Sequence, residues 1–138
     1  MRMNLVSGGI VVLATAGLVG GELPAAMQAK FIKILAQSAN SAGKVACKDS
    51  AVADELAKAG VTADGSSKVA WAASESEVKA LKAAGKLVIC GKLEWLPAGG
   101  AIAIVEEGGK PQIYLHMGNI AASGVALSDT VLKIGKRL

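Results

Sequence analysis

The chain has 138 residues, 52% hydrophobic, 19% charged and only 3% aromatic, with a net charge of +4. That length and balance leave room for one globular domain and exclude a disordered or fibrous chain. The 15 basic residues form no run longer than Lys136-Arg137 and stacking aromatics are nearly absent, which argues against a nucleic-acid partner; one His and two Cys exclude a multi-ligand zinc site.

Arg2 is the only charge before Glu22, and the apolar run Ile10-Val11-Val12-Leu13-Ala14 lies within the uncharged stretch between them. A positive start, a short apolar centre and small residues after it predict a secretory signal peptide over residues 1–21, cut after Ala16 or Gly21. The apolar centre is too short for a comfortable membrane span. The expected compartment is the periplasm, with residues 22–138 forming a single α/β domain, peripheral to the membrane at most.

Pro24 suits the first turn of a helix running to about Ser38, with Ala26, Ala29, Ile32, Leu35 and Ala36 at helical spacing. Lys44 to Cys47 reads as a buried strand, and Asp49 or Ser50 can cap a helix that Gly60 closes. Lys68 to Ala72 is a second strand. Ser74-Glu75-Ser76-Glu77 is a capping box opening a third helix, which Gly85 ends before a strand over Lys86 to Cys90. Ala101 to Val105 and Pro111 to His116 are too close for a helical crossover and should pair as an antiparallel hairpin. Ser128 with Asp129 can cap a last helix. The alternation predicts a three-layer α/β sandwich, its sheet mostly parallel with a C-terminal antiparallel hairpin.

Gly99-Gly100 before the strand Ala101 to Val105, the turn Gly108-Gly109-Lys110, the strand Ile113-Tyr114-Leu115-His116 and the segment Gly124-Val125-Ala126-Leu127-Ser128 through Leu132-Lys133 resemble the C-terminal half of the YfiR-like periplasmic family. The helix Ala29 to Leu35 and the strand Val45-Ala46-Cys47 are similar to that family's first helix and strand. His116 stands where the family commonly has Asn, Asp129 replaces a second Ser, and the family's Trp-Pro pair and C-terminal cysteine pair are absent. The resemblance implies a periplasmic, non-enzymatic regulator that docks on a membrane-bound protein, in the best-known members restraining an inner-membrane diguanylate cyclase. It implies no cofactor.

Two other functions stay open beside that one: a thiol–disulfide redox protein using Cys47 and Cys90, and an extracytoplasmic protein that binds a small ligand. A homo-oligomer is compatible with each. Cys47 and Cys90 both close strands, and a strand order beginning 2-1-3 would make those strands neighbours. A bridge between them would then contribute about 4 kcal/mol; the alternative is two buried thiols acting as small hydrophobes. Gln112, Tyr114 and His116 alternate along one strand and so share a face that is either a pocket lining or a half-solvated edge. No catalytic residue stands out, since Glu106 and Glu107 diverge and Ser128 is a cap.

Open α/β sheets bind ligands and partners beyond the C-terminal ends of their strands. Here those ends carry Cys47-Lys48-Asp49, Ala72-Ala73-Ser74 and Cys90-Gly91-Lys92, leading to Trp95. Lys48, Lys92 and Trp95 are therefore the candidate partner-binding residues. Trp95 reads either as an exposed anchor or as a lid over a small-residue core.

Overall fold

The computed structural model describes residues 22–41 and 43–138; the expected signal peptide lies outside the described residues. The elements are α1 (Ala25–Ser38), β1 (Lys44–Cys47), α2 (Ser50–Lys58), β2 (Thr62–Ala63), β3 (Val69–Ala72), α3 (Glu75–Ala83), β4 (Leu87–Cys90), a 3-10 turn (Leu93–Trp95), β5 (Ile102–Glu107), β6 (Lys110–Leu115), α4 (Met117–Ser123), α5 (Asp129–Ile134) and β7 (Lys136–Arg137). They build one seven-stranded sheet in the order β2-β1-β3-β4-β5-β6-β7. Every neighbouring pair is parallel except β5 and β6. The fold is a three-layer α/β sandwich with helices flanking the sheet.

Local chemistry explains where the helices start. Asp49 Oδ1 accepts from the N–H groups of Ala51 and Val52 at 3.2 and 3.4 Å, capping α2. Ser74 Oγ accepts from Glu77 N–H at 3.2 Å while Glu77 Oε1 accepts from Ala73 N–H at 2.8 Å, a reciprocal clamp on the start of α3. Ser128 Oγ accepts from Val131 N–H and caps α5. In α1 the buried stripe is Gln28, Ala29, Ile32, Leu35 and Ala36, with Ala26 facing solvent. Between β5 and β6, Gly108 and Gly109 both have positive φ, 61° and 82°, as a hairpin turn matched to the strand twist requires.

Strand alternation sorts the core into two faces. One face carries Val45, Val69, Trp71, Leu87, Ile89, Ile102 and Ile104, packed on Ile32 and Leu35 of α1, Val52 and Leu56 of α2, and Val131 of α5. The other carries Ala72, Val88, Cys90, Ala103, Val105 and Tyr114 beneath Val78, Trp95 and Leu96.

The sequence reading missed β2, and that omission matters. With β2 counted, the order does begin 2-1-3, but the third strand is Val69–Ala72 and Cys90 closes the fourth. The strand β3 therefore separates the strands of Cys47 and Cys90. Cys47 packs on the face of Val45 and Cys90 on the opposite face, and both thiols are free. The expected neighbouring strands and the disulfide are both corrected.

The connections also divide. The crossover from β1 to β2 runs through α2 on one face, while those from β3 to β4 and from β4 to β5 run through α3 and the 3-10 turn on the other. The chain thus leaves β1 and β3 in opposite directions, which opens a crevice at their C-terminal ends. On its face α3 packs on β3 and β4, and among the described residues no helix packs over the outer strands β1 and β2 there.

Candidate cleft at the strand switch

A cleft of about 330 Å3 fills the space that α3 leaves open, a volume at the lower end of small-molecule sites. Ala46 of β1 lies at its base. Glu77, Ala80 and Leu81 come from α3, and Ala63 and Asp64 from the end of β2, with Lys48 at the loop after β1. The lining is mostly small and apolar, with three charged side chains among it.

Two of those charges are fixed in place. Glu77 is held by the bond from Ala73 N–H that closes the helix cap. Asp64 Oδ1 accepts from Ser66 N–H at 2.9 Å and from Ser66 Oγ at 2.7 Å, and Lys44 Nζ lies 3.7 Å from Oδ2. Those Ser66 bonds, followed by the Lys44 charge, hold the Asp64 carboxyl below its ordinary value. Lys48 is exposed and makes no ion pair among the described residues.

Trp71 closes the crevice on the α1 side. Its indole Nε1 donates to Asp49 Oδ2 at 3.4 Å, tying β3 to the cap of α2. A Cβ on Gly91 would lie 3.3 Å from the Trp71 ring and 3.2 Å from Gln28 Nε2. A side chain at Gly91 would make Gln28 or Trp71 yield by a few tenths of an ångström, so glycine suits the close approach of the loop after β4 to α1.

The cysteines are poorly suited to thiolate chemistry. Burial pushes the Cys90 thiol up to about 11, against a hydrogen bond to Lys92 O that works the other way. Burial also raises Cys47; its hydrogen bond to Asp49 O opposes the shift, and the negative charges of Asp49 and Glu77 add to it. With the sulfurs on opposite faces, no dithiol pair exists for exchange.

The partner-binding candidates fare unequally. Trp95 is 9% exposed and packs beside Leu96 over the second face, so the exposed-anchor reading is corrected in favour of the lid. Lys92 Nζ sits 5.2 Å from the centre of the Trp95 ring, a cation–π contact that covers the indole. Lys48 alone of the three reaches the cleft.

Of the two readings of Gln112, Tyr114 and His116, nothing among the described residues supports the pocket lining. Gln112 Nε2 donates to Ile113 O, and Tyr114 is buried with its hydroxyl donating to Glu107. The strand ends at Leu115, and His116 Nδ1 accepts from Asn119 N–H at 3.1 Å to cap α4. That cap was missed along with α4. Asn119 Nδ2 in turn donates to Leu96 O and Gly100 O, both at 3.0 Å, fastening α4 under the turn.

Glu77 was read only as a cap and Asp64 was not singled out at all. The capping box was the one available signal for Glu77. Nothing in the spacing of Asp64 marks it, because its place follows from the position of β2. Among the described residues no helix is long and apolar enough to cross a membrane, and no group of His, Cys, Asp and Glu is arranged to hold a metal ion. No protein-family model matches the chain, and no curated protein or solved structure is significantly similar to it.

Proposed function

We propose that this domain is a non-enzymatic regulatory module of the periplasm that takes up a small ligand in the switch-point cleft and passes that state to a membrane-bound protein. The observation that carries the reading is the cleft itself: an apolar floor with a few fixed polar groups, where divergent connections open an α/β sheet. Two further arguments support the rest. Arg2 and the apolar run Ile10 to Ala14 favour export. The likeness of residues 99–133 to YfiR-like proteins favours a membrane partner such as a diguanylate cyclase.

The reading is tested with Ala80→Trp, which adds an indole to an exposed position on the α3 wall and fills the cleft without touching either core face. The protein recovered from the periplasmic fraction of the native cell should begin near Gly17 or Glu22 and co-purify with a membrane protein. Recovery of that partner should change in the Ala80→Trp variant. An uncut chain in the cytoplasm, or partner recovery indifferent to the filled cleft, overturns the proposal.

A further inference from the structure

The C-terminal end of β1 and β3 is where doubly wound sheets commonly receive phosphorylated ligands, because the N–H groups of helix N-termini point there. In this chain some of those groups are already taken, most of them by carboxylates. Asp49 occupies the Ala51 and Val52 N–H groups at the start of α2. At α3, Ser74 takes the Glu77 N–H and Glu77 takes the Ala73 N–H. An arriving phosphate would meet two negative charges, Asp49 and Glu77, at the donors they hold. Asp64 adds a third on the far wall.

The positive charges offset this only in part. Lys44 lies 3.7 Å from Asp64 Oδ2 and compensates that carboxylate. Lys48 is exposed on a flexible stem, so its charge is largely screened by solvent, whereas Asp49, Asp64 and Glu77 are half-buried and held by hydrogen bonds. Burial is the main cause that raises the Cys47 thiol, and the nearby charges of Asp49 and Glu77 add to it. Below the charges, Ala46, Ala80 and Leu81 present an apolar bed.

We infer that the cleft takes a small apolar amine, its ammonium on the Glu77 carboxylate and its hydrocarbon body over Ala46, Ala80 and Leu81. The inference rests on the ligand-binding reading above and narrows it to one chemical class. Glu77 suits the role because Ala73 N–H engages Oε1, which leaves Oε2 to accept from an ammonium. An anionic ligand of the same shape is repelled by that oxygen, and a neutral one offers at most an uncharged donor.

The test is titration of the isotope-labelled full chain with three probes: phenethylamine, its near-isostere 3-phenylpropionate, and inorganic phosphate. Amide shifts are followed at Ala46, Ala63, Asp64 and Ala80. Phenethylamine should shift these amides, and the two anions should leave them in place. Glu77→Gln keeps a side-chain oxygen for the Ala73 N–H and so keeps the helix cap, while removing the charge. It should weaken amine binding about tenfold or more with an unchanged circular dichroism spectrum. Lys48→Ala should not weaken it. Binding of 3-phenylpropionate or phosphate in preference to the amine overturns the amine assignment and leaves the ligand-binding reading intact. Amine binding that is equal in wild type and Glu77→Gln also overturns it. No response to any probe overturns it as well, and the Ala80→Trp comparison then decides the wider reading separately.

Discussion

Replacing Trp95 with Ala separates a core role from a docking role. The indole is 9% exposed and lies with Leu96 and Val78 over Cys90, Ala103, Val105 and Tyr114. A buried Trp covers about 150–250 Å2, which at about 25 cal/mol per Å2 corresponds to about 4–6 kcal/mol of transfer free energy. That is an upper bound, since the unfolded chain already shields part of its apolar surface. Truncations of this kind in cores cost about 3–5 kcal/mol once the residual cavity is included. Trp95 ends a short 3-10 turn whose loop can partly settle, which favours the lower end, about 3 kcal/mol. The whole domain has about 5–15 kcal/mol to lose. Urea unfolding followed by far-UV circular dichroism should therefore show a much lower midpoint at unchanged slope. Trp95→Phe should recover most of the loss. A cost below about 1 kcal/mol for Trp95→Ala would refute the core assignment and return Trp95 to the surface.

Thiol accessibility should follow the two environments. Cys90, raised to about 11 and fully buried, should stay unmodified by a thiol reagent until the protein unfolds, and Cys47 should react slowly. Rapid labelling of both, or a native mass short of two hydrogens, contradicts the fold as described. The cluster of Glu107, Tyr114 and Lys136 ties β7 to the hairpin and sets a pH window. Bonds from Tyr114, then Lys136, hold the Glu107 carboxyl below its ordinary 4.5. Its contribution is therefore present above the ordinary value and lost as pH falls through the lowered one. Glu107 raises both Tyr114 and Lys136 above 10.0 and 10.5, so their contribution holds at neutral pH and is lost as pH climbs through the raised values. Glu107→Gln should flatten both arms of the stability profile, read as urea midpoints from acid to alkaline pH; an unchanged profile refutes the linkage.

The parts of the fold legible in the sequence are those set by local chemistry. Asp49, Ser74 and Ser128 announced three helix starts because a cap is a short-range bond. The hairpin was legible because Gly108-Gly109 has few other uses between two apolar runs. By contrast, β2 is two exposed residues with no alternation to read, and β7 is the same. The start of α4 depends on His116 acting as a cap, an uncommon choice, and its position depends on Asn119 reaching backbone carbonyls many residues away. The cleft was legible least of all. The rim at the strand ends was expected, but its charge and its occupants follow from which strands α3 fails to cover. That depends on β2, so one short strand displaced Cys90 from Cys47 and brought Asp64 to face Glu77's wall.

The most direct test of the central claim uses the unaltered full chain and a small-molecule extract of its native compartment. In a two-dimensional amide spectrum, the account predicts shifts confined to the lining around Ala46, Ala63, Asp64 and Ala80, and their disappearance in Ala80→Trp. Shifts centred instead on the groove between Ser38 and Ser128, beside the residues that precede β1 and β3, or shifts that survive the filled cleft, would contradict it.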